Sequence, residues 1–254
     1  MSKTIRNEFD KALTYENLMK AHLQSRKGKG YRKDIILFNL KQEEYIMWLY
    51  EQLQTGEYKH SGYSVFYITQ PKLRRIEKSI YIDRIVHRWY VNSFIEKYFI
   101  PQFIHTSYAC IKNKGMHKAC LDLQKAVKHC KVIWEDYYIL KMDVRKYFEN
   151  INKNILLEIL QRKIKDEKVL WLTKEIIYSN EGETGLPIRK LYFSNVCKYL
   201  SKRTRPICKT PAKMQILLAI YGRCCNTHKD KRRSKRGFDK YKNIFERKSK
   251  TWIK

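Results

Sequence analysis

Tyr137-Tyr138-Ile139-Leu140-Lys141-Met142-Asp143-Val144-Arg145-Lys146-Tyr147-Phe148-Glu149-Asn150-Ile151 is the stretch whose reading decides the fold. Apolar side chains that favour strands run into a single acid, and after a turn the spacing changes to that of an amphipathic helix. The pattern predicts a buried strand that presents one carboxylate at its end. A carboxylate beside an apolar strand is costly to desolvate unless it holds a metal ion or a basic partner, which makes Asp143 a candidate functional residue. The alternative is a strand-end Asp that caps the following helix.

Around this stretch lie 254 residues, 43% of them hydrophobic, enough to bury one large core or two small ones. No run of 18 apolar residues is present, so a membrane-spanning helix is not expected, and Met1 to Glu8 lacks the apolar segment of a signal peptide. A cytoplasmic location and no membrane partner are the expectation. Seven cysteines, Cys110, Cys120, Cys130, Cys197, Cys208, Cys224 and Cys225, form no C-x-x-C pair, and their odd total argues against a disulfide framework. They read as reduced thiols.

A formal charge of +29 points to a polyanionic partner, since Lys and Arg that neutralise phosphates release counterions and gain affinity without reading sequence. The charge is uneven. From Arg189 onward 21 basic residues face 3 acids, whereas the first 188 residues carry 33 against 22.

In chain order, residues 1–25 predict a helix with Leu13, Leu18, Met19 and Leu23 as its apolar positions. The loop Ser25-Arg26-Lys27-Gly28-Lys29-Gly30-Tyr31-Arg32-Lys33 is basic, and either meets phosphate or is simply solvated. A second helix is expected from about Leu40 to Gln54, with Tyr45, Trp48, Leu49 and Leu53 on its core face and Gly56 ending it. Tyr63 to Ile68 and Lys78 to Ile82 read as the strands of a hairpin joined by Gln70-Pro71-Lys72-Leu73-Arg74-Arg75-Ile76. Three cations there suit phosphate oxygens, because Arg forks bind them bidentately and Lys supplies a point charge; a solvated turn is the alternative. Asp83 is expected to N-cap a helix running to about Tyr98, stopped by Pro101. A basic glycine loop with Lys112, Lys114 and Gly115 then leads into a helix through His129. After the central strand come helices Ile155–Ile164 and Val169–Tyr178 and the turn Gly182-Glu183-Thr184-Gly185-Leu186-Pro187-Ile188.

Taken in series, these pieces resemble the reverse transcriptases of bacterial retroelements, most closely those of diversity-generating retroelements and group II introns. The resemblance runs from about Tyr31 to Ile188 and rests on Pro71-Lys72-Leu73-Arg74-Arg75, Asp83-Arg84-Ile85-Val86-His87, Ser107-Tyr108-Ala109-Cys110 with Lys112 and Gly115, the strand with Asp143 and Phe148, and Gly185-Leu186-Pro187-Ile188. It implies an α+β right-hand polymerase fold, mostly helical with a small antiparallel sheet. Fingers would span 1–130 and a partial palm 131–188, with the thumb absent. It also implies RNA-directed DNA polymerase (nucleotidyltransferase) activity, with an RNA template, a DNA primer or cDNA, deoxynucleotide triphosphates and Mg²⁺. In that family the acid corresponding to Asp143 and the backbone carbonyl corresponding to Val144 ligate two Mg²⁺ ions. Phe148 matches the gate against a ribose 2′-hydroxyl, and Lys72, Arg74 and Arg75 match the triphosphate-binding cations. Arg84, Lys112 and Lys114 match positions beside template or other nucleic acid. The resemblance also admits an accessory protein among the partners.

After Ile188 the resemblance stops. Family members continue with Gly-Asn-x-Thr-Ser-Gln and later carry Tyr-x-Asp-Asp, whose aspartates complete the metal site; this chain continues Arg189-Lys190-Leu191-Tyr192-Phe193-Ser194-Asn195 and has no adjacent pair of aspartates. A single carboxylate is a poor holder for two hard cations, so the chain is expected to be impaired as a catalyst. With suitable synonymous codons, the sequence from Arg189 reread one nucleotide later spells Gly-Asn-Tyr-Thr-Ser-Gln. The same shift turns Ile220 onward into Tyr-Met-Asp-Asp-Val-Val-Ile-Leu. A frameshift near Ile188 accounts for both, and makes 189–254 an out-of-frame basic tail expected to be poorly ordered. Lys229-Asp230-Lys231-Arg232-Arg233-Ser234-Lys235-Arg236 is then an accident of frame, although such a run still binds polyanions. A non-catalytic nucleic-acid-binding protein that keeps the basic fingers surface is the rival reading.

Overall fold

Threonine at position 14 sets the first departure from the expected helix over 1–25. Its backbone is extended (φ −131°, ψ 154°) and its hydroxyl accepts from the Asn17 N–H, which caps a new helix. Two helices result, α1 (Phe9–Ala12) and α2 (Tyr15–Arg26), with the Asn17 amide reaching back to the Ala12 carbonyl across the break. The computed structural model describes residues 4–71, 73–103, 105–108, 111–133, 136–140, 148–186 and 219–223.

The expected second helix is also two: α3 (Lys33–Leu40) and α4 (Gln42–Thr55). Ile46, Leu49 and Leu53 form the buried face of α4, while Tyr45 and Trp48, expected in the core, are exposed. A helix repeat carries Trp48 to the side away from Ile46, so spacing to Leu49 alone misled. Gly56 ends α4 at φ +80°, a left-handed cap that glycine adopts without strain.

A hairpin follows, β1 (Tyr63–Ile68) paired antiparallel with β2 (Arg74–Ser79). Arg74 and Arg75 therefore belong to a strand, not to the connecting turn, which shrinks to 69–73. β2 stops at Ser79, and α5 (Tyr81–Tyr90) begins earlier than expected. Asp83 does not cap it: Ile80 holds that position without a side-chain bond, and Asp83 is buried in the first turn. The helix widens into a π-helix over Val91–Phe99 and closes in a 3₁₀ turn, Ile100–Gln102, at Pro101.

The chain forms two compact units. In the first, described over 4–103 and 151–186, α7 (Lys153–Gln161) and α8 (Glu167–Tyr178) complete the core. Phe9, Trp89 and Phe94 pack edge to face at 5.5 and 5.7 Å, and the Trp89 indole N–H donates to the Ala12 carbonyl. Burying each such ring contributes on the order of 2 kcal/mol. Ile5 lies beside Ile164 as a one-residue bridge, its N–H donating to the Lys163 carbonyl at 3.0 Å. Asp166 serves two helices at once. Its carboxylate accepts from Val169 N–H, capping α8, and from Glu8 and Phe9 N–H, at the start of α1.

The second unit, described over parts of 105–150 and over 219–223, holds α6 (Met116–Ile133), β3 (Asp136–Leu140), a 3₁₀ turn (Phe148–Asn150) and β4 (Ala219–Arg223). β3 and β4 pair antiparallel, from Asp136 opposite Arg223 to Leu140 opposite Ala219. The described residues are thus mostly helical with two small two-stranded antiparallel sheets, an α+β arrangement. Among them no helix is long and apolar enough to cross a membrane. Of the tail 189–254, β4 is described and the remainder lies outside the described residues.

Candidate nucleic-acid interface

Strand alternation sorts the hairpin into two faces. Tyr63, Val65 and Tyr67 share one face with Arg75, Glu77 and Ser79; Ser64, Phe66 and Ile68 share the other with Arg74, Ile76 and Lys78. Ile76, opposite Phe66 midway along the ladder, is the buried residue of β2. Val65 to Ile68 are exposed, with Tyr67 at 63% of its accessible area, so the tip offers aromatic and apolar surface beside two arginines. Base stacking on an aromatic ring flanked by cations is the usual grip on a single strand. Arg74 is exposed and, among the described residues, no acid pairs with it. Arg75 is held by Glu77 at 2.6 Å on the same strand face. Lys72 lies outside the described residues.

The root is clamped by consecutive residues of α5. Asp83 is fully buried and accepts from the Tyr58 hydroxyl at 2.7 Å and from the Ser61 N–H at 3.2 Å, with the His60 ring 3.7 Å away. Burial, and then the neighbouring Asp83 charge, push the Tyr58 phenol well above its ordinary range. The His60 ring stacks between Tyr63 at 4.7 Å and His87 at 5.2 Å. Asp83 thereby fixes the segment that enters β1.

Arg84 fixes the other side. Its guanidinium donates to Asp34 of α3 at 2.6 Å and lies 4.9 Å from the Tyr81 ring centre, and Lys78 of β2 donates to the same oxygen at 3.1 Å. Burial pushes the Asp34 carboxyl up, but the bonds from Lys78 and Arg84 outweigh it and hold it below the ordinary value. The charge of Arg84 is engaged within the fold. Asp34 lies 50 residues upstream, too far for any local pattern to mark it as the partner of Arg84.

In the second unit, the loop before α6 is tied down by its own side chains. Lys114 donates to the His105 carbonyl at 2.7 Å and lies 5.9 Å from the Tyr108 ring, while Tyr108 and Lys118 both donate to Asp122. The bonds from Lys118 and Tyr108 hold the Asp122 carboxyl below its ordinary value. Lys112 is exposed and Phe148 is half-buried at the start of its 3₁₀ turn.

Asp143 and Val144 lie outside the described residues. The β3–β4 ladder sets Gly222 and Arg223 beside Tyr137 and Asp136, at the start of β3, whereas Asp143 follows the other end of that strand. The positions at which the shifted frame would encode two aspartates are therefore not paired with the end of β3 that leads to Asp143. Among the described residues no group of three or more His, Cys, Asp or Glu could hold a metal ion.

The turn carrying Gly185 and Leu186 rests on a residue that the sequence reading missed. Lys153, buried at the start of α7, donates to the Asn180 and Gly182 carbonyls at 2.6 and 2.7 Å, and burial lowers its pKa. The Gly185 N–H donates to the Ile151 carbonyl at 2.9 Å, and the Asn180 amide donates to the Gly185 carbonyl. A lysine opening a helix reads as solvated surface, so no pattern announced it. Pro187 and Ile188 lie outside the described residues. No family model matches the chain, and no curated protein matches it.

Proposed function

We propose that the chain is by descent an RNA-directed DNA polymerase of a bacterial retroelement, in a truncated and impaired form that keeps the surface for template and nucleotide. The observation that carries this reading is that, with suitable synonymous codons, one and the same shifted frame can spell two separate family motifs downstream of the series of matching pieces ending at Ile188. The hairpin geometry supports it. Asp83 and Arg84 brace the root of a hairpin that presents exposed Tyr67 with Arg75 on one face and exposed Arg74 on the other, so that a base stacked on Tyr67 would have a cation on its own face and a second at the strand's other side. RNA template, DNA primer and deoxynucleotide triphosphates are the proposed partners. One carboxylate, Asp143, with the Val144 carbonyl is too small a donor set for two Mg²⁺ ions, and no catalytic step is assigned to this chain through them.

The exposure of Tyr67 and Arg74 equally favours the second reading, a non-catalytic nucleic-acid-binding protein. Primer extension on an RNA template with Mg²⁺ and deoxynucleotides, run beside filter binding of the same template, separates the two. Residual incorporation that Asp143→Ala removes supports the polymerase reading. Retention of template without any incorporation supports the second.

A further inference from the structure

The turn between α2 and α3 carries Arg26, Lys27, Lys29, Arg32 and Lys33, and the chain has no acid between Glu16 and Asp34. Two backbone bonds fold it tightly, from the Lys29 N–H to the Arg26 carbonyl at 2.8 Å and from the Arg32 N–H to the Lys29 carbonyl at 3.1 Å. Lys27, Lys29 and Lys33 are exposed, and Tyr31 between them is 77% exposed. Like charges held in so short a turn repel one another, a strain that a bound anion relieves.

This turn adjoins the Arg74 face of the hairpin. Arg74, Ile76 and Lys78 share that face, and Lys78 reaches the carboxylate of Asp34, the residue after Lys33, at 3.1 Å. Asp34 brings no net negative charge there, because Arg84 donates to the same oxygen at 2.6 Å and two cations stand against one acid. Arg74 is exposed four residues along the strand from Lys78, a rise of about 13 Å. The opposite face differs. Arg75 is closed on Glu77 at 2.6 Å, so that a cation and an acid cancel, and the Tyr63 hydroxyl at its root lies 2.6 Å from that of Ser179, just after α8. Among the described residues, a phosphodiester backbone passing the hairpin thus meets net positive charge on the Arg74 side and little on the Arg75 side.

We infer that a single strand of RNA held at the hairpin tip runs its phosphates along the Arg74 and Lys78 face and onto the 26–33 turn, where Tyr31 takes a further base. This rests on the nucleic-acid reading of the hairpin and adds to it a second contact and a path between the two. Cations that follow a backbone, with an exposed aromatic ring among them, are the elements of a single-strand groove. Continuity with Arg74 and the exposed tip rings favours a strand over an anionic bilayer, because the turn then extends a grip already present.

The test titrates the full chain with oligouridylates of about 4 and about 16 nucleotides over a salt series, read by fluorescence anisotropy. Binding of the short strand should depend on Tyr67 and Arg74 and not on the turn. The long strand should show a salt slope steeper by about 2, the value for three added phosphate contacts at about 0.7 each. Lys27→Gln, Lys29→Gln and Lys33→Gln together should remove that gain and weaken the long strand about tenfold or more, leaving the short one unchanged. Tyr31→Ala should weaken the long strand and keep its slope. The same charge removed at exposed Lys11, Lys165 and Lys168 should leave the gain in place. The wild-type slopes decide the matter even if the triple variant loses stability. Equal slopes for the two lengths, with Arg74-dependent binding of both, overturn the path and leave the hairpin reading standing; no binding at either length overturns both. A gain removed equally by the Lys11, Lys165 and Lys168 substitutions, or binding of phosphatidylserine vesicles that needs Lys27, Lys29 and Lys33 while RNA binding does not, also overturns it.

Discussion

Arg84 donates to Asp34 across 2.6 Å, joining the first turn of α5 to the first turn of α3 at the root of the hairpin. Loss of this charge-assisted bond in Arg84→Ala should cost about 2 kcal/mol, read as a lower urea midpoint with an unchanged slope. The folded-state pKa of Asp34 lies below its ordinary value, so its contribution is present above that value and lost as the pH falls through the folded one. The urea midpoint of the wild type should therefore fall more steeply than that of Asp34→Asn on acidification from about pH 5. Parallel curves for the two proteins would remove Asp34 from the clamp.

Much of this was readable from residue pattern, and the failures have physical causes. A hairpin beginning at Tyr63, a strand before Asp143 and two helices after Asn152 followed from strand-forming runs and helical spacing. The second hairpin strand, in contrast, lies at Arg74–Ser79 rather than 78–82, and α5 starts at Tyr81 without Asp83 as its cap. The single helix expected over 1–25 failed because Thr14 offered a cap stronger than the absence of Gly and Pro suggested. Asp83 read as a cap because a pattern of types cannot show whether an acid faces solvent or, as here, Tyr58 and Ser61. The partners of Arg84, Lys153 and Asp166 are set by the tertiary fold, at separations of 50, 27 and 157 residues, and no local period encodes them.

Asp166 caps α8 and the start of α1 with one carboxylate. Asp166→Ala should lose both caps, about 3 kcal/mol in all, whereas Asp166→Asn should lose less because its amide oxygen still accepts. Urea unfolding followed by circular dichroism checks the order. Equal losses in the two variants would contradict the double cap.

Lys163 is buried, 5.3 Å from the Phe99 ring centre, and burial brings its pKa down to about 8. Its folded pKa lies below its unfolded one, so the unfolded chain binds more protons between the two values and stability should rise as the pH climbs from about 8 towards 10.5. Lys163→Met should abolish that rise and be at least as stable as the wild type near neutrality. Thermal melts across this range provide the measurement.

Arg74 and Arg75 should not weigh equally on nucleic acid. Arg75 must first give up Glu77, while Arg74 has no such partner among the described residues. Arg74→Ala should weaken single-stranded RNA binding more, and lower the slope of log affinity against log salt by about 0.7. Tyr67→Ala should weaken binding by about 1–3 kcal/mol and leave that slope unchanged. Fluorescence anisotropy over a salt series reads both.

Primer extension on an RNA template with Mg²⁺ and deoxynucleotides, comparing this 254-residue chain with the product of the same gene after removal of one nucleotide at the codon for Arg189, tests the central claim most directly. We expect the restored chain to synthesise cDNA, Asp143→Ala in it to abolish synthesis, and the 254-residue chain to bind template with little or no extension. Full-length synthesis by the 254-residue chain, or an inert restored chain, would contradict descent from a reverse transcriptase broken at Ile188.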